Sequence, residues 1–145
     1  MRTEFHEKLL AKLVDVGEVR FNLAHERLFN IIIDADEILG VAALADRMLT
    51  REEQDALAEY CDDLLSYAKA HFSEEEQFLF ERRFPDALSH QAIHHSLVAA
   101  LNNLHRKMLE GNEADLKALR RWLLEWLLTH VNQEDYAYAN YFARQ

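Results

Sequence analysis

Two pairs of potential metal ligands in this sequence are each spaced four residues apart. His71 and Glu75 form the first pair, and His90 and His94 form the second. On an α-helix, residues four apart lie on one face and about 6 Å apart along the axis, so both side chains of a pair can reach the same point. Imidazole nitrogens and carboxylate oxygens bind transition-metal ions, and the spacing therefore predicts metal chemistry.

Three more potential ligands lie in or beside other stretches with a helical pattern. His25 and His130 lie deep in two such stretches, and Asp135 follows His130 by five residues. A single histidine in a helix is more often a hydrogen-bonded core or surface group than a metal ligand. Burying five imidazoles and two ionised carboxylates together without a cation would, however, be costly. The set as a whole therefore predicts bound metal ions.

Counting donor atoms predicts a pair of ions with one open coordination position. Five imidazoles, together with two carboxylates that bridge through both oxygens, supply nine donors. A solvent-derived bridge counts once for each ion and raises the total to eleven, whereas two six-coordinate ions need twelve. An open position is typical of reactive rather than structural metal sites, and bridging ligands hold two ions about 3.5–4 Å apart. Mixed nitrogen and oxygen donors suit iron, although zinc or copper would also bind.

The elements that position these residues are predicted to be helices. The sequence has only three glycines and one proline, and the stretches between them show helical periodicity rather than alternation. This periodicity predicts an all-α fold. Because the connections are short, neighbouring helices are expected to be antiparallel, in an up-down four-helix bundle with short extra helical segments at both termini. Thr50 and Glu53 match a capping box, which marks the start of the second long helix. The predicted helices cover residues 3–16, 18–39, 50–83, 86–110, 113–131 and 136–142, with a connector over 41–49.

The relative heights of the ligands in this bundle can be calculated. At about 1.5 Å per residue, His94 and His130 lie level with each other, roughly 25 Å from the turn between their helices. Asp135 would point about 140° away from His130 on a continuous α-helix. The helix is therefore predicted to break near residues 131–134. Three histidines are predicted to lie outside the site: His6, His95 and His105.

Composition limits the class of protein. The chain has 145 residues and a formal net charge of −10, which predicts one domain over residues 1–145 and argues against nucleic acid, whose phosphates need a basic face. No apolar run approaches the roughly 18 residues of a membrane span, and the N-terminus shows no signal-peptide pattern. These features predict a soluble, cytoplasmic protein. The single cysteine, Cys61, is interpreted as a small buried hydrophobe.

Five short motifs combine the potential ligands with neighbouring aromatic and apolar residues. The motifs are His25 followed by Leu28-Phe29, His71-Phe72-Ser73-Glu74-Glu75, Phe84-Pro85, His90-x-x-x-His94, and Trp126-Leu127-Leu128-Thr129-His130 with Asp135. In this order and spacing, the sequence resembles the hemerythrin family, specifically the single-domain bacterial hemerythrins, over residues 18–140. The resemblance implies a four-helix bundle with two iron ions in an oxo- or hydroxo-bridged non-haem centre that binds O2 reversibly.

The resemblance also implies a role for each ligand. One iron would be held by His90, His94 and His130 and the other by His25 and His71, with Glu75 and Asp135 as bridges. O2 would bind at the iron with two histidines, in agreement with the open position counted above. An apolar lining of the O2 site would exclude water. The family's lining positions correspond to Leu28, Phe72, Trp126, Leu127 and Val131.

The sequence leaves more than one function open. A carrier, store or local supplier of O2, without enzymatic activity, is the leading hypothesis. The alternative is a sensor, in which O2 or redox state changes the bundle and signals to a protein partner that the sequence does not identify. A ferritin-like di-iron oxidoreductase is less favoured, because that fold uses Glu-x-x-His pairs and no histidine here has a glutamate three residues before it. Residues 3–16 are interpreted as a cover for one face of the bundle, with a partner surface as the minority interpretation.

Overall fold

The computed structural model describes residues 3–109 and 116–145. Within these residues the chain is helical and contains no β-strand, which confirms the predicted all-α bundle with short helices at both ends. The predicted end of one helix at 110 and the start of the next at 113 lie outside the described residues. The helices are α1 (Glu4–Leu10), α2 (Val19–Leu44), α3 (Arg51–Glu81), α4 (Ala87–Leu109), α5 (Leu116–His130) and α6 (Tyr136–Ala143), with a π-helical turn (Val131–Asp135) between the last two.

The N-terminal segment is helical over a shorter range than predicted. α1 ends at Leu10, and residues 11–18, which we call the N-terminal strap, run through turns and irregular backbone to α2. The predicted helix over 3–16 is therefore wrong beyond Leu10. Gly17 adopts a φ of +79°, a left-handed conformation that favours glycine and interrupts helical geometry.

Two asparagines from other parts of the chain hold the backbone of the strap. Asn132 in the π-helical turn accepts a hydrogen bond from Val14 N–H (3.1 Å) and donates one to the Lys12 carbonyl (2.9 Å). Asn22 on α2 accepts a hydrogen bond from Val16 N–H at 3.0 Å. These bonds satisfy backbone groups that a continued helix would otherwise satisfy, and they fix the strap across the bundle.

A buried cluster of polar side chains anchors α1. His6 Nε2 lies 2.6 Å from Asp36 Oδ2, and Arg120 Nε donates to Asp36 Oδ1 at 2.5 Å. His6 and Asp36 are both almost completely buried, so the pair links α1 to α2, and Arg120 adds α5. His6 therefore lies outside the metal-ligand set and has a role in joining helices.

α2 does not end at Gly40, where the sequence pattern placed its end. The helix continues to Leu44, and the chain turns at Asp46, which has a φ of +50°. A Cβ atom at Gly40 would lie 3.3 Å from the Arg120 guanidinium carbon. The glycine therefore allows a close approach of Arg120 from α5 rather than marking a helix end.

The capping box at the start of α3 is confirmed. Glu53 N–H donates to Thr50 Oγ1 at 3.1 Å, and Thr50 N–H donates to Glu53 Oε1 at 2.9 Å. These bonds satisfy two N–H groups that the first turn of a helix leaves free. At the other end of α3, the turn before α4 includes Arg83, with a φ of +55°, and Pro85.

The predicted break after His130 is a change of helical pitch. Residues Val131–Asp135 form a π-helical turn, and α6 follows directly. Hydrogen bonds in a π-helix join residues five apart, so such a turn brings positions five apart onto one face. His130 and Asp135 therefore face the same side without an interruption of the helix.

The apolar core is built by side chains from the long helices, including Phe21, Ile32, Leu64, Leu101 and Leu123. Cys61 belongs to this core and is 1 % exposed, and burial raises its thiol pKa to about 11, as expected of a small buried hydrophobe. None of the helices in the described part of the chain combines the length and the apolar character that a bilayer span requires.

Candidate metal centre

The seven predicted ligands come together inside the bundle. None of their side chains is more than 3 % exposed, and they come from α2, α3, α4, the end of α5 and the π-helical turn. Their ligand atoms form two groups, and within each group all of these atoms lie within 4.8 Å of one another. The three-histidine group contains His90, His94, His130, Glu75 and Asp135, and the two-histidine group contains His25, His71, Glu75 and Asp135.

Glu75 directs one carboxylate oxygen to each group. Its Oε1 atom lies 2.8 Å from His90 Nε2 and 3.2 Å from His94 Nε2. Its Oε2 atom lies 3.4 Å from His71 Nε2 and 3.7 Å from His25 Nε2. A carboxylate in this position can bridge two ions, with one oxygen on each.

Asp135 also directs one carboxylate oxygen to each group. Its Oδ1 atom lies 3.0 Å from His90 Nε2 and 3.1 Å from His130 Nε2, both in the three-histidine group. Its Oδ2 atom lies 3.1 Å from His25 Nε2 in the other group. The π-helical turn makes this possible, because it places Asp135 on the same side of the helix as His130.

Two imidazole nitrogens of the three-histidine group face each other. His94 Nε2 and His130 Nε2 lie 3.1 Å apart, while the Nδ1 atoms of these rings lie 2.9 Å from Glu76 Oε2 and 3.4 Å from Glu134 Oε1. We therefore assign each Nδ1 as an N–H donor, so that each Nε2, once deprotonated, presents a lone pair to the space between the two rings. Because nitrogens bound at about 2.1 Å to one octahedral ion lie about 3 Å apart, the distance fits a shared metal ion.

The two-histidine group contains buried polar atoms without hydrogen-bond partners. They are both ring nitrogens of His25 and of His71 and both carboxylate oxygens of Asp135. His25 Nε2 is close to Asp135 Oδ2, but the two atoms are not aligned for a hydrogen bond. Buried polar atoms nearly always have a partner, so neighbouring atoms that point past each other indicate a third centre that they all face. These residues also fit a metal ion.

His25 and His90 hold protons beside the carboxylates in the metal-free protein. Burial acts to lower the pKa of His25 and of His90, but the nearby negative charges of Asp135 and Glu75 outweigh burial and raise both pKa values to about 9. Burial also acts to raise the pKa of Glu75, and the surrounding imidazoles reverse this effect and hold the pKa well below its usual range. Metal ions must displace the histidine protons when they bind.

The five residues assigned by resemblance to the O2 pocket are all buried, and none is more than 6 % exposed. The Phe72 ring stacks on the His94 ring, with centroids 4.0 Å apart and planes 8° apart. The Trp126 ring is 6.2 Å from that of Phe72, and its Nε1 atom donates to the Leu97 carbonyl at 3.4 Å. Their role as an O2 pocket stays a prediction. The five residues are Leu28, Phe72, Trp126, Leu127 and Val131.

The sequence did not identify three residues beside the ligands. Glu76 and Glu134 lie against His94 and His130, and Tyr138, 1 % exposed, donates a 3.0 Å hydrogen bond to Glu75 Oε2. Glu134 follows His130 by four residues, a spacing that predicts contact on one face of a helix and that could have identified it. Glu76 and Tyr138 act between different helices, and such contacts depend on how the helices pack.

Two remaining histidines lie away from the centre. His95 is exposed, although it is adjacent to His94 in the chain. His105 is partly buried, and its Nε2 atom lies 3.4 Å from Asp62 Oδ1. Neither residue is in the two ligand groups.

Comparison with known proteins identifies the family. The chain matches the Hemerythrin HHE cation binding domain over residues 20–142. It is 28% identical over 103 residues to a bacteriohemerythrin of Stenotrophomonas maltophilia, covering 66% of this chain and 67% of that protein. It is 25% identical over 114 residues to a bacteriohemerythrin of Methylococcus capsulatus, covering 79% of each. A myohemerythrin of Theromyzon tessulatum is 27% identical over 86 residues, which are 59% of this chain and 66% of that protein.

The family match and the geometry of the buried cluster agree. The match includes all four long helices and the π-helical turn, and the cluster consists of histidine, glutamate and aspartate side chains suited to metal ions. The chain therefore belongs to the hemerythrin family, and its buried cluster fits the di-iron centre that this family binds.

Proposed function

We propose that this protein binds O2 reversibly at a non-haem di-iron centre and acts as a carrier, store or local supplier of O2. The proposal rests on one observation, the unequal division of five buried histidines between two groups that share both carboxylates. One protein ligand fewer on the two-histidine side leaves room there for a small external ligand. Relatives named bacteriohemerythrin and myohemerythrin support a function in the same family.

Each ligand has a defined part in this proposal. The three-histidine group and the two-histidine group would each hold one iron ion, and Glu75 and Asp135, which belong to both groups, would hold both. When bound, the di-iron pair supplies reversible electron exchange with O2. The side chains orient the pair and offset its charge, and Tyr138 fixes the position of Glu75 through its hydrogen bond.

The apolar residues near the ligands would exclude water from the site. Phe72, Trp126 and Leu127 are buried on α3 and α5, which also carry ligands, and together with Leu28 and Val131 they would keep water from the O2 site. Excluding water limits proton-driven loss and irreversible oxidation.

Anaerobic reduction followed by O2 titration tests the proposal. The iron content of the purified protein should be two ions per chain by elemental analysis. Visible absorption bands that appear with O2 and disappear when O2 is removed would support reversible binding. Oxidation that does not reverse would reject the proposal and favour the oxidoreductase alternative. A Glu74→Gln variant, altered at an exposed position beside Glu75, is the matched control and should behave as the wild type does.

A further inference from the structure

The two ligand groups differ in what lies behind their histidine rings. In the three-histidine group, His94 Nδ1 donates to Glu76 Oε2 at 2.9 Å, and His130 Nδ1 donates to Glu134 Oε1 at 3.4 Å. The Glu76 side chain is 14% exposed and that of Glu134 is 25% exposed. Both side chains are therefore partly buried, and each carboxylate lies on the far side of a ligand ring.

In the two-histidine group, no described residue accepts a hydrogen bond from the far side of a histidine ring. The Nδ1 atoms of His25 and His71 are buried and have no hydrogen-bond partner. The oxygen of Glu75 that faces this group, Oε2, accepts the 3.0 Å hydrogen bond from the Tyr138 hydroxyl. The two sides of the centre thus differ both behind the rings and at the bridging carboxylate.

Both differences make the ligands of the three-histidine group stronger than those of the two-histidine group. A carboxylate that accepts the Nδ1 proton makes the ring a stronger ligand and fixes the tautomer that presents Nε2, and loss of such a partner typically costs about 10–100-fold in metal affinity. A phenol that donates to Glu75 Oε2 draws electron density from that oxygen and makes it a weaker donor. The third imidazole gives the three-histidine side a further nitrogen ligand.

We propose that the two positions bind divalent metal ions unequally and in order. The first ion occupies the three-histidine position, and the second occupies the two-histidine position with an affinity at least about tenfold lower. Glu76 and Glu134 are positioning residues for the tighter site. The inference rests on the ligand set of the proposed function, but it concerns the affinity of each position for metal rather than the binding of O2.

Glu76 should have the larger effect of the two positioning residues. Its hydrogen bond to His94 is 0.5 Å shorter than that of Glu134 to His130, at 2.9 Å against 3.4 Å, and its side chain is less exposed. Glu76 also joins α3 to α4, so its removal could act through packing alone. Glu76→Gln separates these effects, because the amide oxygen can still accept the hydrogen bond while the negative charge is lost.

The test is an anaerobic titration of the metal-free protein with Co2+, followed by calorimetry and visible absorption. We expect the wild type to bind two ions in two resolved steps. Glu76→Gln should weaken binding at the three-histidine position by about 10–100-fold, so that the two steps merge or exchange their order, with a smaller effect from Glu134→Gln. Glu74→Gln, at an exposed position in the same helix, is the control and should match the wild type. Thermal unfolding of each metal-free variant reports any effect on packing.

Two ligand variants identify which position fills first. His71→Ala should retain one tightly bound Co2+, whereas His94→Ala should retain only weak binding. These variants also show which position binds the first ion if Glu76→Gln does not fold. Two steps of equal affinity, a Glu76→Gln titration identical to that of Glu74→Gln, or loss of tight binding in His71→Ala rather than His94→Ala would overturn the inference.

The outcome is separable from that of the proposed function. If the iron-loaded protein oxygenates reversibly but Co2+ binds in one step, the O2-binding function stands and the ordered loading is rejected. If Co2+ binds in two steps with the expected effects of the variants but oxygenation is irreversible, the ordered loading is supported and O2 binding is rejected.

Discussion

Tyr138 in α6 donates a 3.0 Å hydrogen bond to Oε2 of Glu75 in α3. Both side chains are at most 1 % exposed, and Glu75 Oε2 is also the oxygen that faces His71 and His25. Burial raises the pKa of the Tyr138 hydroxyl, so the group stays protonated and remains a donor. The C-terminal helix is therefore joined directly to the carboxylate shared by the two ligand groups.

Tyr138→Phe should destabilise the metal-free protein. The substitution keeps the ring in its contacts with His90 and Phe84 but removes a buried hydrogen bond to a charged group, which is worth about 1.5–3 kcal/mol. Urea denaturation followed by circular dichroism measures the change in the free energy of unfolding. Tyr136→Phe, at a position that is 49% exposed, is the control and should change it by less than about 0.5 kcal/mol. Equal effects of the two substitutions would show that the hydrogen bond contributes no stability.

Glu75→Ala should remove at least one metal ion and much of the stability of the fold. Glu75 has no exposed surface and lies between four imidazoles. Removing one partner from a buried charged network typically costs about 3–5 kcal/mol. Elemental analysis gives the metal content and denaturant unfolding gives the stability. His105→Ala, away from both ligand groups, should leave the metal content unchanged. A Glu75→Ala protein with its full metal content would contradict the ligand assignment.

The stability of the metal-free protein should fall as the pH rises from neutral. The pKa values of His25 and His90 are about 9 in the folded protein, against about 6.5 in an unfolded chain. Since the folded values are higher, these ion pairs contribute fully below about pH 6.5, and their contribution is lost as the pH rises through about 9. The pKa values of Glu75 and Asp135 are lowered, so the carboxylates stabilise the fold above about pH 4.5 and this stabilisation is lost in acid.

Metal binding should remove the loss of stability at alkaline pH. Ligated histidines are neutral, so the loaded protein no longer depends on protons held by His25 and His90. Urea denaturation of the metal-free and the metal-loaded protein between pH 6.5 and 9.5 compares the two. Binding of Co2+ at pH 7 in a weak buffer should also release protons. A metal-free protein of constant stability over this interval would rule out the raised histidine pKa values.

The convergence of the ligands could be predicted from the sequence because it depends mostly on local geometry. The spacing of His71 from Glu75 and of His90 from His94 is that of one helix face, and the heights of helices joined by short turns follow from the rise per residue. The same reasoning predicted a break in the helix between His130 and Asp135. The helix instead continues through a π-helical turn, because the ligand spacing requires only that both side chains face one side and does not determine how the backbone achieves this.

The features that the sequence did not predict depend on contacts between distant segments. Gly40 has the pattern of a helix end, but it lies inside α2 because Arg120 of another helix packs against it. The apolar spacing after α1 continues to Val16, yet Asn132 binds the backbone there in a non-helical form. Helical periodicity describes one element at a time and does not tell which side chain of a neighbouring helix packs against it.

Asn132 provides a direct test of how the strap is held. Its side chain makes two hydrogen bonds to the backbone of residues 12 and 14, and Asn132→Ala removes both. Two neutral hydrogen bonds are worth about 1–3 kcal/mol in total, so the open form of the strap should become about 5–150-fold more populated. Trypsin cleavage after Lys12, which is exposed, should accelerate accordingly in a timed digestion analysed by mass spectrometry.

Cleavage after Lys8 provides an internal reference for this measurement, because Lys8 lies within α1 and its local structure does not depend on Asn132. Gln133→Ala is the matched variant, since Gln133 is exposed and adjacent in the same π-helical turn. It should be cleaved after Lys12 at the wild-type rate. If Asn132→Ala and Gln133→Ala are cleaved there equally fast, the strap is held by the apolar contacts of Leu13, Val14 and Val16 with the core, and the asparagine has no part in closing it.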